Sequence, residues 1–266
     1  MLAGARAVVR GGGELASAAA RLLFLSGMRV VVLEREKPLA VRRLVSFADA
    51  VFCGERIVEG VRGRLVGADA LPDGVLSYVP VVVDPEAQLL ARWGADVVVD
   101  ARMAKRRAAE PRNGGSAFLV GLGPGFTAGV DVDAVIETQR GPDLGRVLWK
   151  GAAEPDTSLP SPVLGYTEKR VLRAPRAGIF REGVDLGAVV VPGDVIGDVD
   201  GDPVTTPIAG LLRGLLKGGV WVSAGTKVGD VDPRGPGVNP AIVSDKGRAV
   251  AAGVLEAILV RRHGLR

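Results

Sequence analysis

The sequence predicts an α/β protein. It divides into a Rossmann-like parallel-sheet domain over residues 1–165, a small all-β domain over 168–236, and a C-terminal helix over 241–266 expected to pack back on the first domain. Three observations lead there. The chain opens with a strand that runs into three glycines, a helical stretch, a second strand and a carboxylate. The first half then repeats continuous β-branched runs at Val30–Val32, Val81–Val83 and Val97–Val99. Past a proline-rich linker the grammar changes to short strands and glycine turns.

The opening unit is Ala7-Val8-Val9-Arg10-Gly11-Gly12-Gly13-Glu14-Leu15-Ala16, followed by Arg29-Val30-Val31-Val32-Leu33 and Glu34. Glycines at such a turn let backbone N–H groups approach a phosphate, and a helix N-terminus adds partial positive charge. Glu34 lies 23 residues after Gly11, where an acidic side chain reaches a ribose hydroxyl. Ala16 stands where the fingerprint has its third glycine. The alternative is a tight strand–helix turn with no ligand.

Further strands are expected at Tyr78–Asp84, Asp96–Asp100 and Ala117–Gly121, with helices at Glu14–Ser26, Lys37–Ala50 and Pro85–Trp93. Continuous Val runs suit strands buried on both faces of a parallel sheet. Arg56–Val66 reads as a hairpin turning at Gly60 or Gly63. The linker, Glu154 to Pro162, holds three prolines that stop regular structure. Beyond it, Pro175–Arg181 falls on Pro207–Arg213, and Pro192–Asp200 on Ala224–Asp232, at a shift of 32 residues with no gap. One copy cannot bury its apolar face alone, so two copies pair. Two such halves resemble a barrel-sandwich hybrid, the fold of biotinyl and lipoyl carriers. The junction Gly201–Thr206 has no lysine to carry a swinging arm, so a structural or docking module is expected. The last segment reads as a helix capped by Ser244 or Asp245.

Composition excludes several classes. No apolar run approaches the roughly 20 residues of a membrane span. The chain enters a strand directly, with no signal-peptide pattern, and the single Cys53 allows no disulfide framework. These features predict a cytoplasmic protein. Cys53, among apolar neighbours, reads as buried and inert, with a nucleophile as the alternative. Net charge is +4, and the one basic cluster, Lys105-Arg106-Arg107, lacks neighbouring aromatics, which speaks against nucleic acid. The only histidine, His263, lies in the last four residues. A histidine metal site or a Ser-His-Asp triad is therefore excluded, and no metal ligands are expected.

Three further constellations can carry chemistry. Gly121-Leu122-Gly123-Pro124-Gly125-Phe126-Thr127 follows a strand and describes a shaped loop with exposed amides. It reads as an anion or ligand site or as a structural loop, and Phe126 either covers a ring or plugs the core. Glu137 and Arg140 are expected near the carboxyl edge of the sheet, where open α/β folds bind ligands. Glu137 acts as acid or base, or simply pairs with Arg140. Asp100 ends a strand, the place for a ligand or metal carboxylate, or else caps the following helix or turn. The candidate catalytic residues are thus Glu137, Arg140 and Asp100. The candidate cofactor-binding residues are Arg10, Gly11, Gly12, Gly13, Glu14, Glu34, Gly121, Gly123, Pro124, Gly125, Phe126 and Thr127.

Several motifs together resemble one family. They are Arg10–Ala16, Arg42-Arg43 with Ser46-Phe47, Asp100–Met103, Gly121–Gly129, Ile136–Thr138 with Arg140-Gly141, and Leu144–Val147. Asp230–Arg234, Ser244-Asp245-Lys246 and Gly253–Ala257 complete the set. The family is the YqeB-type accessory proteins of selenium-dependent molybdenum hydroxylases, similar to xanthine and CO dehydrogenase maturation factors. The resemblance implies a maturation factor that binds the molybdenum cofactor or another phosphorylated, nucleotide-type ligand and meets a hydroxylase apo-enzyme. It also implies a histidine near position 133, another just after Gly141 and a cysteine before Ser244; Asp133, Pro142 and Asn239-Pro240-Ala241 stand there. Two other functions compete: an NAD(P)-dependent oxidoreductase, which needs Tyr78 or Tyr166 as proton donor, and a scaffold without a ligand. No membrane partner is expected, a homo-oligomer is compatible with every reading, and turnover stays open.

Overall fold

The computed structural model describes residues 2–71, 74, 76–103, 115–157 and 159–265. The Lys105–Arg107 cluster and linker residue Ser158 lie outside them. The chain forms two compact units. Unit 1 is Met1–Glu36, Val45–Asp156 and Val243–Arg266; unit 2 is Lys37–Leu44 and Thr157–Ile242.

Unit 1 contains strands β1 (Arg6–Arg10), β2 (Arg29–Glu34), β3 (Glu55–Val58), β4 (Val61–Leu65), β5 (Val79–Val83), β6 (Val97–Asp100), β7 (Phe118–Leu122), β8 (Thr127–Ala128), β9 (Ala134–Ile136), β10 (Val147–Leu148) and β11 (Gly151–Ala152). Among the described residues its helices are α1 (Glu14–Leu25), α2 (Ala50–Cys53), α3 (Leu90–Trp93) and α4 (Asp245–Arg262). Among the described residues, nine strands form one sheet in the order β10-β9-β7-β6-β1-β2-β5-β4-β3. The inner pairings are parallel, whereas β10 joins β9 and β3 joins β4 antiparallel.

The Val runs alternate between two layers. Ala7, Val9, Val30 and Val32 face the core under α1 and α4, while Val8, Val31 and Val82 face a second core with Leu89, Phe126 and Val135. Helix α4 starts where Ser244 accepts the Gly247 N–H at 3.1 Å, and it buries Val250, Val254, Ala257 and Ile258. Ser17 of α1 stitches the opening turn to the next loop: its hydroxyl donates to the Gly12 carbonyl at 2.9 Å and accepts the Phe47 N–H at 2.7 Å.

Unit 2 contains β12 (Val171–Arg173), β13 (Gly178–Glu182), β14 (Val189–Val190), β15 (Val195–Val199), β16 (Asp202–Thr205), β17 (Gly210–Leu215), β18 (Val220–Val222) and β19 (Lys227–Asp232). They form two four-stranded sheets, β12-β19-β17-β14 and β16-β15-β13-β18, antiparallel throughout. Residues 37–44 join this unit, with the Leu215 N–H donating to the Val41 carbonyl at 2.9 Å and Arg43 pairing with Glu182 at 2.5 Å.

These findings correct the expected fold class. The first part is a mixed nine-stranded sheet, not a Rossmann-like parallel sheet. Among the described residues, the connection from β2 to β5 is no regular crossover helix: the chain there makes 3-10 turns at Arg43–Val45 and Phe47–Asp49, the single turn of α2 and a hairpin. The expected helices at Lys37–Ala50 and Pro85–Trp93 shrink to these short turns and to α3. Pro38 and Pro85 favour the break, and residues 37–44 are recruited elsewhere. The second part is two separate antiparallel sheets completed by a segment from far upstream, not a contiguous carrier-type barrel-sandwich hybrid. The expected cuts at 165, 168–236 and 241 become the discontinuous division given above.

Candidate functional site

The carboxyl ends of β1, β2, β6, β7 and β9 lie along one edge of the unit 1 sheet, because these strands are parallel and adjacent in register. Ligands of open α/β sheets bind outside this edge.

At β1 the backbone turns through Gly11, whose φ of 94° suits a residue without Cβ. The Gly11 N–H donates to the Leu33 carbonyl at 2.7 Å, and the Gly12 N–H donates to the Glu34 carboxylate at 2.8 Å. Glu34 also accepts the Arg35 N–H at 2.8 Å. Burial raises its pKa above the ordinary carboxylate value, opposed by these two backbone hydrogen bonds. Glu34 thus ties β2 to the glycine turn, in place of reaching for a ribose. Gly12 is pressed against the Ala48 backbone, where an added Cβ would meet the nitrogen at 2.8 Å, so this glycine serves packing. Gly13 is different: it caps α1, and a Cβ there would meet nothing within 4 Å. The open face of the loop is therefore at Gly13 and the first turn of α1. Glu14, in that turn, accepts the Ser244 N–H at 2.9 Å and so joins the start of α1 to the start of α4.

Asp100, at the end of β6, is buried between two guanidinium groups. Arg102 donates to it at 3.0 and 2.7 Å, and buried Arg10 lies 3.6 Å away. Its charge is spent on arginines, which removes it as a metal carboxylate and makes it the support for two cations at the edge. The next segment crosses close to Gly11, with the Ala101 carbonyl 3.1 Å from where a Cβ would stand, and Met103 adopts a left-handed φ of 53°. Strained non-glycine backbone of this kind concentrates at functional loops.

The second glycine loop is only partly open. The Phe126 ring lies across Gly121, 2.5 Å from where a Cβ would stand on that glycine, and Phe126 is 5% exposed within the second core. Phe126 therefore plugs the core and covers no ligand. Gly123, with φ 72°, abuts Thr138 and donates to the Ile136 carbonyl at 2.9 Å. Pro124 is half-buried and Gly125 exposed, so the loop's outer turn is at these two residues. The Thr127 N–H is taken by Asp131 at 2.7 Å, away from any open face.

Glu137, 3% exposed, accepts the N–H groups of Thr138 and Gln139, each at 2.6 Å, and of Glu154 at 2.8 Å. Both of its oxygens are occupied in holding the loop after β9, so it is a structural carboxylate. It does not pair with Arg140. Arg140 grips Asp245 of α4 with both terminal nitrogens, one at 2.7 Å. This hydrogen bond holds the Asp245 pKa down at about 2, against partial burial.

The residue absent from the expected set is Lys246, the second residue of α4. Burial lowers its pKa; Arg140 lowers it further, while Glu14, Glu137 and Asp156 pull it up. The sequence signal was present, since Ser244-Asp245-Lys246 stands out as a motif, but nothing in a linear reading places it beside Glu14 and Glu137. Cys53 differs from expectation too: it is exposed, and its thiol donates to the Asp49 and Glu55 carbonyls at 3.1 and 2.9 Å.

Two cavities open at the other, amino-terminal edge of the sheet. One of about 90 Å³ is lined by Phe24, Met28, Tyr78 and Trp93, and one of about 480 Å³ by Asp96, Phe118, Arg261 and Arg262. Neither adjoins the glycine turns. Tyr78 is thus at the wrong end of its strand to serve a ligand at the carboxyl edge, and Tyr166 belongs to unit 2. Among the described residues no group of acidic, histidine or cysteine side chains is arranged to hold a metal ion.

No protein-family model matches the chain. Over 258 residues it is 45% identical to the uncharacterized protein YqeB of Escherichia coli (strain K12). The chain is similar to YqeB over this span. The match covers 96% of this chain and 48% of YqeB, so the chain spans about half the length of the curated relative it matches. Among solved structures, similarity is found to an aspartoacylase family protein of Mesorhizobium loti, at 16% identity and a TM-score of 0.27, covering 86% of this chain and 85% of that one. The succinylglutamate desuccinylase/aspartoacylase of Rhodobacter sphaeroides matches at 16% identity and a TM-score of 0.25, covering 86% of each chain. At such TM-scores these similarities transfer neither fold nor chemistry. Among the described residues, no helix is long and apolar enough to cross a membrane.

Proposed function

We propose that unit 1 binds a small phosphate-bearing ligand at the carboxyl edge of its sheet. The protein would serve as a cytoplasmic accessory in the maturation of selenium-dependent molybdenum hydroxylases. The ligand on this reading is the molybdenum cofactor or its nucleotide form, and the partner is the hydroxylase apo-enzyme. One observation carries the ligand class: the N-termini of two long helices, α1 and α4, are joined at this edge through Glu14 and Ser244, beside Arg10, Arg102, Arg140 and Lys246. Helix N-termini favour an anion. The role in hydroxylase maturation rests on the motif resemblance and on the similarity to YqeB.

Residues with named roles are few. Gly13 and the first turn of α1 present backbone N–H groups, Pro124 and Gly125 form the outer turn of the second glycine loop, and Asp100 holds Arg10 and Arg102 in place. A thermal-shift panel tests the reading with molybdopterin, its cytidine and guanosine nucleotides, NAD(P), ATP and CTP. Binding at 100 times Kd raises stability by about 2.7 kcal/mol. A rise confined to the molybdenum-cofactor members is the expected result. A rise with NAD(P) alone, or with no member, overturns it.

A further inference from the structure

The cavity of about 480 Å³ at the amino-terminal edge of the unit 1 sheet has the size of a small-molecule site, for which roughly 300–1,000 Å³ is usual. Its lining comes from separate parts of unit 1 that meet at this edge. Met28 leads into β2, Phe118 opens β7, and Ile258 lies toward the end of α4; with Leu2 they supply the apolar wall. The polar lining divides by sign. Asp96 and Asp133 are accounted for by the sheet: Asp96 accepts the Arg6 N–H at 2.7 Å where β1 starts, and Asp133 accepts the Leu119 N–H at 2.8 Å in β7. Arg261 and Arg262 have no such task. The Arg261 guanidinium lies 6.0 Å from the centre of the Phe118 ring, a contact that orients it without cancelling its charge. Among the described residues, no carboxylate pairs with either arginine. Any cation in the last turn of α4 suits the negative end of the helix dipole. The dipole does not require that two of them line a cavity.

We infer that this cavity is a second binding site, for a small monoanion with an apolar body, of the class of a medium-chain carboxylate. Arg261 and Arg262 hold the anionic head, since a guanidinium fork matches a carboxylate and keeps its charge at any physiological pH. The apolar body lies against Leu2, Met28, Phe118 and Ile258. Asp96 and Asp133 set the limit on charge: their carboxylates face the same space and repel a ligand with a second negative end. The site is at the opposite edge of the sheet from the glycine turns, so it stands or falls independently of the phosphate reading.

The test uses the full chain with hexanoate as probe and acetate and adipate as controls, read by calorimetry and by NMR. Hexanoate should bind the wild type with a dissociation constant in the millimolar range or tighter. Acetate, which lacks the apolar body, should bind at least about tenfold more weakly. Adipate, of the same chain length with a second carboxylate, should also bind more weakly than hexanoate. In the double variant Arg261→Gln, Arg262→Gln, loss of the charge-assisted contacts should weaken hexanoate binding about 10- to 100-fold. No binding of hexanoate by the wild type at millimolar concentration overturns the inference, as does equal binding by the variant. Acetate or adipate binding as tightly as hexanoate overturns the ligand class. Should the variant fail to fold, the wild type alone decides: magnetisation transfer from the hexanoate chain must reach the methyl groups of Met28 and Ile258, and bound hexanoate without that transfer refutes the site.

Discussion

Single residues at the carboxyl edge show how little a residue type reveals about its task. Glu34, Asp100 and Glu137 are the acidic side chains that a linear reading assigns to ribose, metal or proton transfer, yet each is consumed by backbone amides or arginines. The reason is geometric. A carboxylate at a strand end is surrounded by turn N–H groups, and it satisfies them before anything else. Arg140 and Asp245 make the testable pair at this scale. The Arg140 hydrogen bond holds the Asp245 pKa at about 2, below 3.8. A depressed folded-state pKa contributes stability that is present above the unfolded value and lost as pH falls through the folded one. The window here is thus from about pH 4 down to about 2. Asp245 is 72% exposed, so solvent screens the pair and its worth is at most about 1 kcal/mol. An NMR titration of the Asp245 carboxyl in Arg140→Met should return it to the ordinary range; an unchanged midpoint would show that Arg140 is not the cause.

At the scale of elements, unit 2 shows one sequence repeat put to two uses. Strands β13 and β15 correspond to β17 and β19 at the 32-residue shift, and Arg181 with Asp198 corresponds to Arg213 with Asp230. The first pair is exposed and loose at 3.5 Å. The second is buried: Asp230 meets Arg170 at 2.8 Å, Lys227 at 2.9 Å and Arg213 at 3.2 Å, and Arg213 also reaches Asp232 at 3.0 Å. A register shift between Leu212 and Gly214 leaves Arg213 as the extra residue, which aims it at both carboxylates. Burial pushes the Asp230 pKa up, but its three cations outweigh this and hold it below the ordinary value. Removing one partner of such a network strands the others, at a cost of about 3–5 kcal/mol. Asp230→Asn should lower the denaturation midpoint accordingly, whereas Asp198→Asn should change it little; equal effects would contradict the difference in burial. The 32-residue correspondence is plain in the sequence because turn glycines and strand residues recur in step. The bulge is not, since a single register shift depends on which strand lies opposite.

For the whole chain, the consequence of a discontinuous unit 1 is that its core closes only with α4. Val243, Val250, Val254 and Ile258 are each no more than 4% exposed within that core. Burying such side chains contributes about 1.5–3 kcal/mol apiece, so together they rival the roughly 5–15 kcal/mol by which whole domains are stable. A chain ending at Ile242 should therefore lose the cooperative unfolding of unit 1 and bind a dye specific for exposed apolar surface. A sharp transition near the wild-type temperature would show that the sheet and α1 suffice. Local pattern was enough to locate β2 at Arg29–Glu34, to bring β5, β6 and β7 within a residue of their ends, and to set α4 at Asp245–Arg262. Val runs, glycine punctuation and a serine cap are local signals, and local signals bound elements. They could not settle the mixed sheet, the transfer of residues 37–44 to unit 2, or the placing of Lys246 near Glu14 and Glu137. Those depend on which segments meet across more than a hundred residues of chain, and only the packed core and the demand of each buried polar group for a partner decide that.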